Sequence, residues 1–158
     1  QPPSPGGSVT QTVYLCGPIS GLTAAVATEW RHTVRHALEP HGYRVLDPMR
    51  GHDSRRAEEA LRSDGKNWPY GPKAVFKRDK HDVLRSDILF VNLLGATRIS
   101  AFSMMEVAWA EDHNKFVLTV MEADGSNVHE HLCVREASSL IVPSVDEALH
   151  YLTKVHNQ

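Results

Sequence analysis

Two carboxylates in this sequence sit where an unpaired charge is costly. Glu106 lies in Ala-Phe-Ser-Met-Met-Glu-Val-Ala-Trp-Ala, and at helical spacing its neighbours are Phe102, Ser103, Trp109 and Ala110. None is basic, so no intrahelical ion pair is available, and Glu106 falls on an apolar face. Asp79 repeats the pattern, interrupting a stripe of Val75, Phe76 and Val83, with Asp82 one turn on. Arg78 and Lys80 flank it in sequence but are expected to point elsewhere on the helix. A buried acid without a partner is often functional; the alternatives are that Glu106 faces a cleft edge or pairs with a distant arginine, and that Asp79 is a partly solvated acid near a helix surface. Two carboxylates in one cleft suit glycosidic chemistry, one attacking an electron-deficient sugar carbon and the other protonating the leaving group.

A second chemical feature is the loop Gly17-Pro18-Ile19-Ser20-Gly21. It lies between an apolar strand and a helix, where glycines let backbone N–H groups approach an anion. It lacks the Lys of a phosphate-binding P-loop and the full dinucleotide fingerprint, so a plain tight turn stays open beside the ligand-binding reading. Arg98, Ser100 and Ser103 precede Glu106 and offer a second anion-binding group; a helix cap at Ser100 and a solvated Arg98 are the alternatives. No Gly-x-Ser-x-Gly elbow occurs. His129-Glu130-His131 does not have metal-site spacing, and neither a metal nor a cofactor is expected.

The elements that must position these groups follow from periodicity. Thr12 to Cys16 reads as a strand, a helix runs from about Thr23 to Glu39, and Tyr43 to Leu46 reads as a second strand. Residues 49–73 form either a lid over a site or a surface excursion, with a short helix near Ser54 to Arg62. A helix from about Ala74 to Arg85, a strand Ile88 to Asn92, a helix from about Ala101 to His113 and a strand Phe116 to Met121 follow. Residues 122–136 read as polar and irregular. Leu140 to Val142 is a short fifth strand, and Ser144 with Glu147 caps a last amphipathic helix. Alternating strands and helices imply an α/β domain: a doubly wound, five-stranded parallel sheet of flavodoxin-like order 2-1-3-4-5. Ligands in such sheets bind at the switch point between the first and third strands.

The chain has 158 residues, 41% of them apolar, and a formal net charge of -2. It suits one domain, here 12–158 after a flexible tail 1–11. The charge balance argues against a nucleic-acid partner. No stretch approaches a membrane span and no signal-peptide pattern is present. The two cysteines, Cys16 and Cys133, are too few for a disulfide framework. A cytoplasmic protein with free thiols is expected.

Three segments in order, Val-Tyr-Leu-Cys-Gly-Pro-Ile-Ser-Gly, Arg-Asp-Lys-His-Asp-Val-Leu-Arg-Ser-Asp and Ser-Met-Met-Glu-Val-Ala-Trp-Ala, carry a family likeness. From Val13 to about Leu152 the chain resembles the nucleoside 2-deoxyribosyltransferase superfamily. The resemblance implies cleavage of the N-glycosidic bond of a nucleoside or nucleotide through a covalent glycosyl-enzyme. Glu106 would be its nucleophile, Asp79 its acid/base and Tyr14 the residue orienting Glu106. Transfer to an acceptor base is implied first, with hydrolysis as the alternative. Gly17, Pro18, Ile19, Ser20, Gly21, Asp82, Arg98, Ser100 and Ser103 would bind substrate. A homodimer or higher oligomer is implied, in which the exposed loop 122–131 brings Asn127 and His129 to the sugar or phosphate of a neighbouring subunit. Ala108 stands where the family usually has Gly. The serines and Arg98 before Glu106 are more like the related nucleoside 5′-monophosphate N-glycosidases. A non-catalytic nucleotide sensor on the same fold is the competing reading from another class.

Overall fold

The computed structural model describes residues 9–52 and 59–158. Most of the tail 1–11, and most of the helix expected near Ser54 to Arg62, lie outside the described residues.

Strand β1 (Thr12–Cys16) is the hub of the sheet, and Val13, Tyr14, Leu15 and Cys16 are all fully buried. Such a strand must be covered on both faces. It pairs in parallel with β2 (Arg44–Leu46) on one side and β3 (Ile88–Asn92) on the other. β4 (Phe116–Val120) and β5 (Leu140–Val142) complete a parallel sheet of order β2-β1-β3-β4-β5. This is the order expected from the alternation of elements.

Strand alternation divides the core in two. Val13, Leu15, Ile88, Phe90, Leu118 and Val120 face helices α1 (Ala24–Leu38) and α5 (Val145–Lys154), which supply Val34, Leu38, Ala148 and Leu152. Tyr14, Cys16, Leu89, Val91 and Val117 face α2 (Gly71–Leu84) and α3 (Ala101–Asp112), which supply Val83, Val107 and Ala110. Both catalytic candidates ride on this second pair of helices.

Local chemistry sets the helix ends. Thr23 caps α1 by accepting from the Val26 N–H at 3.2 Å. A 3-10 turn at Glu39–His41 and Gly42, at φ 86°, stop it. Ser144 accepts from the Glu147 N–H at 3.1 Å, half of the expected capping box. Two helices depart from the sequence reading. α2 starts at Gly71, because Pro72 fits the first turn, where its missing N–H costs nothing. Residues 122–136 are not wholly irregular: they contain α4 (Leu132–Ala137), capped by the His131 ring accepting from the Cys133 N–H. Six residues with none buried carry no periodic signal.

Candidate functional site

A cleft of about 420 Å³ opens at the carboxyl ends of β1 and β3, where the strand order reverses. Its first wall is the loop after β1, Gly17 to Ser20. That loop is held against β3: a Cβ on Gly17 would meet the Asn92 carbonyl at 2.8 Å and the Trp30 ring at 3.0 Å. The second wall is the start of α3 with its preceding loop, Arg98 to Ser103. The third is the described part of 49–73. Met49 and Leu61 pack with Ala24 and Ala27 in a small core joined by Trp68, and the Leu61 carbonyl accepts from the Gly21 N–H at 2.7 Å. That segment is therefore stitched to the first loop, and His52, Ser63 and Trp68 line the cleft. Phe76 and Phe102 stack at 5.7 Å between α2 and α3 and supply an aromatic surface. A smaller hollow of about 280 Å³ adjoins the cleft through His52 and Trp68 and touches neither carboxylate.

Glu106 and Asp79 both line the cleft and are almost completely buried, at 3% and 1% exposure. Burial pushes the Glu106 carboxyl up to about 8, with the Asp79 charge adding to the rise and Tyr14, Arg31 and Cys16 opposing it. Asp79 is pushed up to about 6, again by burial, against the pull of Arg78. The Cys16 thiol donates to Glu106 Oε1 at 3.6 Å. The Tyr14 hydroxyl is close enough to lower Glu106's pKa, yet among the described residues neither it nor Glu106 Oε2 has a partner in full hydrogen-bond geometry. One carboxylate oxygen, Oε2, thus remains uncommitted among the described residues.

Beneath the floor lies Arg31, which is fully buried. Its guanidinium donates to the Ala27 carbonyl and, at 3.1 Å, to the Gly17 carbonyl, stacks over Trp30 at 4.5 Å and meets Asp47 at 3.7 Å. It therefore ties the first loop to the end of β2. No sequence signal marks it, because an arginine in the helical stripe Ala27, Arg31, Val34 reads as an outward-facing residue.

Several expected site residues take other places. Arg78 does not point away from Asp79: its Nε donates to Asp79 Oδ1 at 2.9 Å while its other nitrogens bind the Pro48 and Arg50 carbonyls. Adjacent helical side chains diverge at Cβ, but an arginine is long enough to fold back. Asp82 does not reach the cleft. Arg50 occupies its Oδ2 and Arg85 its Oδ1, so it serves as a buried ion-pair centre. Asn127 and His129 are buried at 6% and 3% exposure and bonded within their own chain. Polar atoms at the base of a tight loop are satisfied locally before they can reach outward. Ser100 occupies the N-cap position of α3, but its side chain makes no cap bond and donates instead to Ser103 Oγ at 2.8 Å. Gly21, at φ 85°, lies under the Arg98 guanidinium, which donates to the Ser20 carbonyl.

Among the described residues no cluster of His, Cys, Asp or Glu could hold a metal, and no helix is long and apolar enough to cross a membrane. Cys16 and Cys133 are free thiols.

Comparison with known proteins gives a consistent picture. A family model described as nucleoside 2-deoxyribosyltransferase matches residues 13–140. The fold is similar to that of a 2-deoxyribosyltransferase from Bacillus psychrosaccharolyticus, at 15% identity and a TM-score of 0.63, over 89% of this chain and 91% of that one. It is equally similar to a 2-desoxiribosyltransferase from Leishmania mexicana, at 15% identity and a TM-score of 0.63, over 92% and 99%. A CMP N-glycosidase from Clostridium botulinum aligns at 16% identity and a TM-score of 0.55, over 90% and 97%. No curated protein matches the chain.

Proposed function

The chain belongs to the nucleoside 2-deoxyribosyltransferase family, and on that premise we propose that it breaks the N-glycosidic bond of a nucleoside or nucleotide. In the first step Glu106 Oε2 bonds to C1′, the C1′–N bond breaks, and the departing base takes a proton from Asp79. In the second, a nitrogen of an acceptor base attacks C1′ and passes its proton to Asp79 as the ester bond to Glu106 breaks. The observation that carries this reading is the pair itself: two buried carboxyls in one cleft, one with a free oxygen.

The pair has a proton to spend. Burial raises both carboxyls, Glu106 further than Asp79, so the pair keeps a proton to higher pH than free carboxyls would. Attack requires the opposite order, Glu106 ionised and Asp79 protonated, so moving the proton to Asp79 carries a cost. An electron-poor C1′ laid against Glu106 offsets that cost by favouring its ionised form.

The test is a panel of nucleosides and 5′-monophosphates, with and without acceptor bases, read by chromatography. Glu106→Ala should lose more than tenfold in kcat, at least about 1.4 kcal/mol. A 2′-fluoro substrate should leave its sugar on the Glu106 peptide by mass spectrometry. A protein that binds nucleotides but turns over none of the panel is instead a sensor.

A second reading, hydrolysis of a nucleoside 5′-monophosphate, is favoured by the start of α3. That helix has no acid in its first turn and no side-chain cap, and Arg98, Ser100 and Ser103 line the cleft beside it. An uncapped N-terminus with an arginine nearby favours an anion. Arg98→Ala and Ser100→Ala should then raise KM for a monophosphate and leave the free nucleoside nearly unchanged. Turnover of free nucleosides as fast as monophosphates would remove this reading and leave the transferase. A single domain over 12–158, a cytoplasmic location and a homo-oligomer belong to the same proposal; full activity in a monomer by light scattering would contradict the last.

A further inference from the structure

The loop after β4 contains a chain of hydrogen bonds that ends at the Glu106 helix. Glu122 Oε1 accepts from the Gly95 N–H at 2.7 Å and Oε2 from Asn127 Nδ2 at 2.6 Å. Asn127 Nδ2 also donates to the Leu93 carbonyl at 2.7 Å. Both Asn127 amide protons are therefore spent, and its Oδ1 is the accepting end, taking the His129 N–H at 2.9 Å and facing His129 Nδ1 at 3.1 Å.

That geometry fixes the imidazole. An oxygen facing Nδ1 requires Nδ1 to carry the proton. Nε2 is then a bare acceptor, and it receives the Ser100 backbone N–H at 2.8 Å. The Ser100 hydroxyl in turn donates to Oγ of the buried Ser103, whose carbonyl lies 3.8 Å from the Cys16 sulfur as a second, longer acceptor for the one thiol proton that Glu106 Oε1 faces at 3.6 Å. Ser103 lies one turn before Glu106. His129 does not line the cleft, so it acts only through what it holds. Its acceptor takes the backbone N–H of the N-cap residue, the group that the N3 side chain of a capping box would otherwise take.

We propose that His129 is a positioning residue, locked by Asn127 as the neutral Nδ1–H tautomer, that holds Ser100 and the first turn of α3 in the substrate-accepting arrangement. It takes the 5′ side of the cleft as the part it governs, and to that extent rests on the function proposed above. Burial, which lowers the pKa of His129, is in keeping with a permanently neutral ring.

Three measurements test it. Nitrogen-15 NMR of the unmodified protein should show His129 protonated at Nδ1; an Nε2-protonated ring would overturn the proposal whatever the substrate. The His129→Ala variant should expose the Ser100 amide to faster hydrogen exchange and raise KM for the best substrate of the panel about fivefold, with kcat within about twofold, the effect of one lost hydrogen bond. The His129→Gln variant carries an acceptor and a donor that can replace both bonds and should restore KM. An unchanged KM in His129→Ala, or a loss wholly in kcat, would overturn the positioning role. Should the alanine variant not fold, the tautomer and the glutamine variant decide. Failure of the glycosidase reading shows separately, as retention of activity by Glu106→Ala or absence of turnover in the unmodified protein.

Discussion

Glu106 illustrates how a single side chain sets function against stability. Its carboxyl titrates near 8 in the fold and near 4.5 in the unfolded chain. Between these values the folded state binds the extra proton, so stability is full below about pH 4.5 and declines as pH rises through 8. We expect Glu106→Gln, which copies the protonated shape without the charge, to abolish turnover yet raise the melting temperature at pH 8. The gain should reach a few kcal/mol at most and vanish near pH 4.5; equal melting temperatures at pH 8 would show that Glu106 is not held neutral. Catalysis should follow the same pair. kcat/KM should trace a bell with limbs near 6 and 8, active when one proton is shared and falling when both carboxyls are protonated or both ionised. Asp79→Asn should slow natural substrates far more than a nitrophenyl glycoside, whose leaving group needs no proton. Both acids were legible in sequence because each interrupts an apolar stripe. Arg31 was not, since burial of an arginine depends on two carbonyls and an aspartate that only the fold brings together.

At the level of elements, the position of the site depends on how closely β1's following loop approaches β3. Gly17 leaves no room for a Cβ, and the atom in the way is a backbone oxygen that cannot rotate aside. Gly17→Ala should therefore destabilise by about 1–3 kcal/mol in urea unfolding and raise KM as the first loop shifts. A melt like that of the unmodified protein would mean that the loop accommodates the methyl. The strands and long helices could be read from their periods, down to the reversal of strand order that locates the cleft. Short pieces could not. α4 has six residues and no buried face, so neither period nor burial pattern marks it. Asn127 and His129 were legible as polar residues near the site but not as inward-facing ones, because their partners, Leu93 and Ser100, lie on a different loop.

For the whole molecule, the doubly wound sheet separates two tasks. The core under α1 and α5 carries no site residue, whereas the core under α2 and α3 carries both carboxyls, Tyr14 and Cys16. The cleft at the switch point is lined by loops from three parts of the chain, so a ligand bound there as proposed should stabilise the entire fold. At a hundredfold excess over Kd the gain is about 2.7 kcal/mol, a rise of several degrees in Tm. Nucleobases, nucleosides and monophosphates screened by thermal shift should separate accordingly, and a monophosphate no better than its nucleoside would locate the recognised group in the base and sugar alone. The thiol at 3.6 Å from Glu106 offers a more direct view. A cysteine S–H stretch absorbs in an infrared window that other protein groups leave empty, and its frequency falls as the acceptor becomes more negative. With Cys133 replaced by serine, Cys16 becomes a built-in vibrational gauge of the charge on Glu106, the proposed nucleophile, readable in the native sequence environment as candidate substrates are added.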